Sequence, residues 1–330
     1  MGRDTTLRVL RDTTLRTLED LEAEGLLSGE QAPALAQVVD RYALAIPSAL
    51  AEGIRVRGPD SPLARQFLPD VRELVTTPDE LDEPIGDGAH APVKGVVHRY
   101  PDRVLVKPLH ACPVYCRFCF RREQVGPGGE VLAPDDWAAV LDYIGATPAV
   151  REVILSGGDP LMLSPRRLGG LLDDLEGIAH VRTLRIHSRV PVLDPDRITP
   201  EMRAVLRRRT PVWLVIHANH PEEFTPAAEA AVASLVDRGI PLLSQTVLLR
   251  GVNADLETLR DLMRCFVDNR IKPYYLHHPD RAKGTSHFRL SLAEGKALAD
   301  ALRRTISGLC QPTYVLDGPE GQGKWPISSP

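Results

Sequence analysis

Residues 104–122 read VLVKPLHACPVYCRFCFRR. A β-branched apolar run, Val104 to His110, leads directly into Cys112, Cys116 and Cys119, spaced by three residues and then two. The run has the composition of a strand, so the thiols sit on the loop leaving its C-terminal end. Working outward, the same kind of run recurs at 153–158 (VILSGG), 183–189 (TLRIHSR), 212–219 (VWLVIHAN), 241–249 (PLLSQTVLL), 274–280 (YYLHHPD) and 313–317 (TYVLD). Segments with helical periodicity fall between most of them, near 134–144, 165–177, 199–209, 225–238, 255–269 and 291–307. Repeated strand–helix units predict an α/β fold with a mostly parallel sheet, and six or seven of them suit a full or partial (β/α) barrel better than an open sheet.

Upstream of residue 90 the character differs. Leu18, Leu21, Leu26 and Leu27 precede a Ser-Gly-Glu turn, a second helical stretch runs from about Glu30 to Ala45, and the Asp/Pro/Gly-rich segment 79–92 reads as a linker or irregular wrap. Three regions are expected: an N-terminal helical region and linker (1–90), a barrel (91–290) and a C-terminal helix, strand and loop (291–330). A net charge of −4 over 330 residues argues against a general electrostatic grip on nucleic acid or anionic membrane. No apolar run is long enough to span a bilayer, and the N-terminal MGRDTTLRVLRD lacks the apolar centre of a secretory signal, so the cytoplasm is the expected location.

Polar residues end strand after strand: Ser156-Gly157-Gly158-Asp159, His187-Ser188-Arg189, His217-Ala218-Asn219-His220, Gln245, His277-His278-Pro279-Asp280 and Asp317-Gly318. One such end is ordinary; the succession favours a single polar cavity at the C-terminal face, where parallel α/β folds carry their sites. Five cysteines, three of them within eight residues, suggest metal or redox chemistry rather than a disulfide framework. Three thiolates can hold an iron–sulfur cube with one iron left open, because Cys265 and Cys310 stand far off in sequence. The alternative is a zinc ion completed by His110 or another histidine.

The x3-x2 spacing, with Phe118 just before the last cysteine and the first strand of a (β/α) pattern before the loop, resembles the signature of the radical S-adenosylmethionine superfamily. The resemblance implies a [4Fe–4S] cluster on Cys112, Cys116 and Cys119, whose open iron chelates S-adenosylmethionine and whose electron releases a 5′-deoxyadenosyl radical. Ser156, Gly157, Gly158 and Asp159 stand where the superfamily places its glycine-rich turn for the cofactor's amino group. From about His98 to Lys324 the chain is similar to lysine 2,3-aminomutases, through HRYPDRVL (98–105), SGGDPL (156–161), PVWLVIHANHP (211–221), QTVLLRGVN (245–253), PYYLHHPD (273–280) and PTYVLDGPEGQGK (312–324). The fold implied is a partial (β/α)6-type barrel with a C-terminal segment that carries a pyridoxal 5′-phosphate lysine.

Further roles are implied position by position. Lys324 matches the Schiff-base lysine, on a loop after the last strand that could swing its amine; Arg99, Tyr100 and Arg103 match positions around the phosphate of pyridoxal phosphate. Arg121 matches the partner of the substrate carboxylate, Asp280 and Asp317 match the two acids around the ε-ammonium of lysine, and His217 and Gln245 match positions facing S-adenosylmethionine. Outside the resemblance, a lysine in a glycine-rich tail is ordinarily a solvated charge, and an Asp at a strand end is ordinarily a turn or helix cap. His277 and His278 depart from the clostridial pattern and receive no role.

The CRFCFRR form resembles the branch that supplies β-lysine for elongation factor P, whereas Asp317, absent from that branch in enterobacteria, points to free lysine as substrate. Longer clostridial members carry C-terminal cysteines that bind zinc and support oligomerisation; this chain ends at Pro330 without them, which leaves zinc and a homo-oligomer open. The expected activity interconverts L-lysine and β-lysine, drawing on a reducing electron donor. The alternatives are an aminomutase for arginine or glutamate and a non-catalytic metal-binding module.

Overall fold

The computed structural model describes residues 14–126, 131–318 and 323–327; the N-terminal stretch quoted above and residues 319–322 of the glycine-rich segment lie outside the described residues. Four short helices come first: α1 (Leu18–Ala23), α2 (Ala32–Arg41), α3 (Ser48–Arg57) and α4 (Pro62–Phe67). A hairpin of β1 (Val96–Tyr100) and β2 (Arg103–Leu109) follows. Then come α5 (Pro134–Gly145), β3 (Glu152–Gly157), α6 (Pro165–Glu176), β4 (Thr183–Ser188), α7 (Val190–Leu193), α8 (Pro200–Leu206), β5 (Val212–His217), α9 (Pro226–Val236), β6 (Leu242–Val247), α10 (Leu256–Asp268), β7 (Lys272–His277), α11 (Leu292–Thr305), β8 (Thr313–Asp317) and β9 (Lys324–Pro326).

Strand order is the chain order, β1 to β9, in one sheet. The strands β2 to β8 run parallel, while β1 and β9 are antiparallel edges. The seven parallel strands are those expected from the apolar runs; the two edge strands were not. Sequential parallel strands with helical crossovers curl into the partial barrel. Helix starts are written locally: Ser164-Pro165, Thr199-Pro200 and Thr225-Pro226 each set a side-chain cap on the N3 amide and a proline at the first helical position, where no amide donor is needed.

Period two along the strands divides helix-covered from cavity-facing side chains. On β4, Leu184 and Ile186 are buried under helices while Arg185 and His187 face the cavity, which Ser188 also lines at the strand's end; on β6, Leu242, Ser244 and Thr246 alternate with Gln245 and Val247. From α10 the helical stripe Leu259, Leu262, Met263 and Phe266 covers the sheet. Each such fully buried side chain contributes about 1.5–3 kcal/mol.

The N-terminal helices share this core: Leu21, Ile46, Ile54 and Phe67 belong to the same apolar cluster as Leu155 and Leu214. Beyond them the 77–90 segment crosses the C-terminal face of the barrel as a strap. Leu81 bridges to Ala282, Gly284 N–H donates to Glu80 at 3.1 Å, and Arg289 pairs with Asp79 at 2.6 Å. Among the described residues no helix is long and apolar enough to cross a membrane.

Candidate active site

A cavity of about 1800 Å³, its open mouth included, occupies the barrel at the C-terminal ends of the strands. Every site residue expected from sequence lines it: the three cysteines, Arg99, Tyr100 and Arg103 from the β1–β2 hairpin, Arg121 after the cysteines, Ser156 to Asp159 at the end of β3, His217 and Gln245 on β5 and β6, Asp280, Asp317 and Lys324. Cys265 and Cys310 do not line it.

The cysteine loop reaches the cavity because glycines let it. Gly157 has φ +103°, and a Cβ on Gly158 would lie 2.3 Å from the carbonyl oxygen of Ala111, so no other residue fits beneath the loop. The loop is pinned from behind by a fully buried carboxylate. Glu73 accepts from Arg117 Nη2 at 2.6 Å and also pairs with Arg122, whose guanidinium lies over the Tyr42 ring. Asp159 is consumed in the β3–β4 corner, accepting from Ser188 Oγ at 2.8 Å and from the amides of Arg189 and Leu161.

Burial raises all three thiols. Cys119 is pushed up to about 11 by burial and then by Cys116; Cys112 rises through burial and the charges of Asp159, Cys119 and Cys116; Cys116 rises although Arg189 Nη1 donates to its sulfur at 2.8 Å. Three desolvated thiols at one place make a donor set that suits iron, since a bound cation supplies the missing compensation. A cube takes each thiolate on a separate iron, so the three sulfurs need not converge on one ion.

Lys324 begins β9 rather than riding free on a loop. Its amide donates to Tyr100 Oη at 2.6 Å, and its Nζ lies 2.7 Å from Asp317 Oδ2. Arg103 stacks on the Tyr100 ring at 3.5 Å and pairs with Asp102. Arg99 is held from two sides, by Asp317 at 3.0 Å and Asp87 at 2.8 Å. A primary amine and arginines within one cavity form a donor set that fits an aldehyde bearing a phosphate. Asp280 is raised to about 7 by burial and then by the charge of Asp317. The cavity histidines stay neutral: burial drives His187 and His217 well below their usual value and, with Lys324, takes His277 down to about 3. His278 turns away, with Nδ1 2.7 Å from Tyr314 Oη.

Sequence reading missed several lining residues. Arg185 announces itself only through alternation, as a charged residue between Leu184 and Ile186, whereas His187 belongs to a polar strand end already expected to face the cavity. Tyr274 and Tyr275 line the cavity together, their hydroxyls 2.9 Å apart. Asp87, in the segment expected to be a linker, carries no periodic signal at all.

Comparison with known proteins agrees with this architecture. Residues 106–263 match the profile of the Radical SAM superfamily. A radical SAM methyltransferase from Sphaerobacter thermophilus superposes with a TM-score of 0.51 at 18% identity, over 68% of this chain and 70% of that one, a likeness of fold alone. The L-lysine 2,3-aminomutase of Fusobacterium nucleatum is 38% identical over 93% of this chain and 72% of its own length. Those of Clostridium subterminale and Escherichia coli are 39% and 38% identical, over 91% and 88% of this chain and 72% and 82% of theirs. With identity at that level across both chains' greater part, the chain belongs to the L-lysine 2,3-aminomutase family of radical SAM proteins.

Proposed function

We propose that this protein is a radical S-adenosylmethionine and pyridoxal phosphate-dependent lysine 2,3-aminomutase that interconverts L-lysine and β-lysine. The observation that carries the substrate is the pair Asp280 and Asp317, two carboxylates lining the cavity that also holds Lys324, Arg121 and the three cysteines. Two acids around one ammonium compensate its charge in a desolvated place and repel an acidic side chain.

When bound, the cluster with S-adenosylmethionine supplies a carbon radical, and pyridoxal phosphate supplies the carrier on which an amino group can change carbons. The chain's own residues do the rest in this reading. Cys112, Cys116 and Cys119 hold the cluster and leave one iron without a protein ligand. Ser156, Gly157 and Gly158 line the edge nearest the cysteine loop, and His217 and Gln245, neighbours in the β5–β6 register, present neutral polar atoms to S-adenosylmethionine. Arg99, Tyr100 and Arg103 take the phosphate, Lys324 anchors the pyridoxal carbon, and Arg121 takes the substrate carboxylate. The barrel, residues 91–290, thus carries the radical chemistry, and 291–330 delivers the amine.

A reducing electron donor is required, which suits the cytoplasm. The CRFCFRR stretch favours the branch that supplies β-lysine for elongation factor P, whereas Asp317 favours free-lysine metabolism. The deciding experiment is anaerobic reconstitution with iron, sulfide, pyridoxal phosphate, S-adenosylmethionine and dithionite, followed by chiral analysis of products from lysine, arginine and glutamate in parallel. β-Lysine from lysine alone is the expected result. Cleavage of S-adenosylmethionine with a β-amino acid from another substrate would transfer the reading to that substrate, and no cleavage at all would end it.

A further inference from the structure

Asp87 is the one acid that the strap pushes into the cavity beside two arginines, and nothing in its sequence surroundings marks it for a role. Its Oδ2 accepts from Arg121 Nε at 3.2 Å and Nη2 at 2.8 Å, while Oδ1 accepts from Arg99 Nη2 at 2.8 Å. Lys107 Nζ stands 3.8 Å away. Each oxygen is thereby committed to a different guanidinium, and the two arginines are fixed relative to one another. Arg99 is further held by the carbonyl of Ile85, two residues before Asp87 on the same strap.

We propose that Asp87 is a positioning residue for the substrate: by gripping Arg121 along its Nε–Nη2 edge it fixes the guanidinium with Nη1 presented to the carboxylate of the incoming amino acid. The inference rests on the reading that Arg121 takes that carboxylate. Among the described residues Nη1 has no protein acceptor, and Arg121 lines the cavity. The guanidinium plane is further set by its place over the Phe120 ring, 4.4 Å from the centroid. A guanidinium offers donors along more than one edge, so one edge can be anchored by protein while the other receives a ligand.

The charges permit a further anion. Arg99, Arg121, Lys107 and Lys324 supply four positive charges against three from Asp87, Asp317 and, when ionised, Asp280, leaving a net charge of at least +1. Burial alone would raise the Asp87 carboxyl, but Arg121 first, then Lys107 and Arg99, hold it below its usual value, so it remains an anion and keeps its grip at neutral pH.

Electrostatics alone makes the opposite forecast: removing a negative charge next to Arg121 should draw a carboxylate in more tightly. The two ideas separate in one set of measurements on the full-length reconstituted enzyme. Under positioning, Asp87→Asn raises the KM for lysine on the order of tenfold with kcat changed much less, because binding and not the chemical step is lost. Asp87→Glu, which keeps the charge on a longer arm, also raises KM, by less. Titration of cluster-free protein with pyridoxal phosphate, followed by absorbance, should show a smaller change, since Arg99 keeps Asp317. A parent-like or lower lysine KM in whichever of the two variants folds overturns the proposal. Arg121→Met serves as the control: if it too leaves the lysine KM unchanged, the assignment of Arg121 itself fails. A raised KM there with parent-like Asp87 variants sinks the positioning role alone.

Discussion

Lys324 Nζ and Asp317 Oδ2 are 2.7 Å apart, across a β8–β9 pairing whose register sets the two residues opposite one another. The other oxygen of Asp317 accepts from Arg99 Nη1 at 3.0 Å. The carboxylate assigned to the substrate ammonium thus already holds an ammonium of the protein. In the proposed reading, capture of pyridoxal phosphate by Lys324 takes that ammonium away from Asp317 and frees the carboxylate for the ammonium of lysine. Asp317→Asn should therefore weaken lysine by roughly 2 kcal/mol, about thirtyfold in KM, because a buried ammonium would lose its charged partner. Iron and sulfide content should stay at the parent value, as Asp317 touches no cysteine. Steady-state kinetics beside metal analysis checks both halves.

Lys324 should be the residue that captures pyridoxal phosphate. Borohydride reduction of the loaded protein, followed by proteolysis and mass spectrometry, is expected to place the modified peptide at Lys324. The variant Lys324→Arg, which keeps the charge beside Asp317 but cannot form the covalent link, should remain folded and unlabelled. Label on any other lysine would reassign the anchor.

The acidity of Asp280 predicts a pH dependence. In the free enzyme its carboxyl titrates near 7, raised by burial and then by Asp317, against the opposing pull of Lys324, Arg121 and Arg99. Lysine needs the ionised form, so kcat/KM should fall as pH drops below about 7 and level off above it. Bound lysine brings its own positive charge and lowers the Asp280 value, so kcat at saturation should keep its plateau to lower pH. Asp280→Asn should flatten the kcat/KM limb; a limb that survives belongs to another group.

Glu73 should matter for stability more than its distance from the substrate suggests. It is fully buried and pairs with both Arg117 and Arg122, which flank Cys119 in sequence. Glu73→Ala strands two buried guanidiniums, and such losses cost about 3–5 kcal/mol. Urea titration of cluster-free protein measures the loss. Reconstitution should also deliver less iron, because the cysteine loop loses its rear support.

The parallel strands were legible because each is a β-branched run between helix-period segments. The edge strands were not: β9 is three residues long after a glycine-rich stretch, and its pairing with β8 depends on the barrel being there first. The cysteines, Lys324 and the two acids stood out through a resemblance spread over much of the chain. Asp87 was invisible for a physical reason. Its importance arises from where the strap crosses the barrel, and that path is fixed by distant contacts such as Arg289 with Asp79 and Leu81 with Ala282. Arg185 could have been found, since an arginine between Leu184 and Ile186 on a covered strand must face something polar.

The hydrogen bond from the Lys324 amide to Tyr100 Oη joins the first strand of the sheet to the last. It acts as a clasp on an otherwise unclosed ring, and Gly323 is part of the fastening, since a Cβ there would lie 2.3 Å from the tyrosine oxygen. The Lys324 amine hangs from this fastener, not from the parallel strands of the barrel. Unfastening it would free a three-residue strand at the sheet's edge and leave the pairing of the parallel strands untouched.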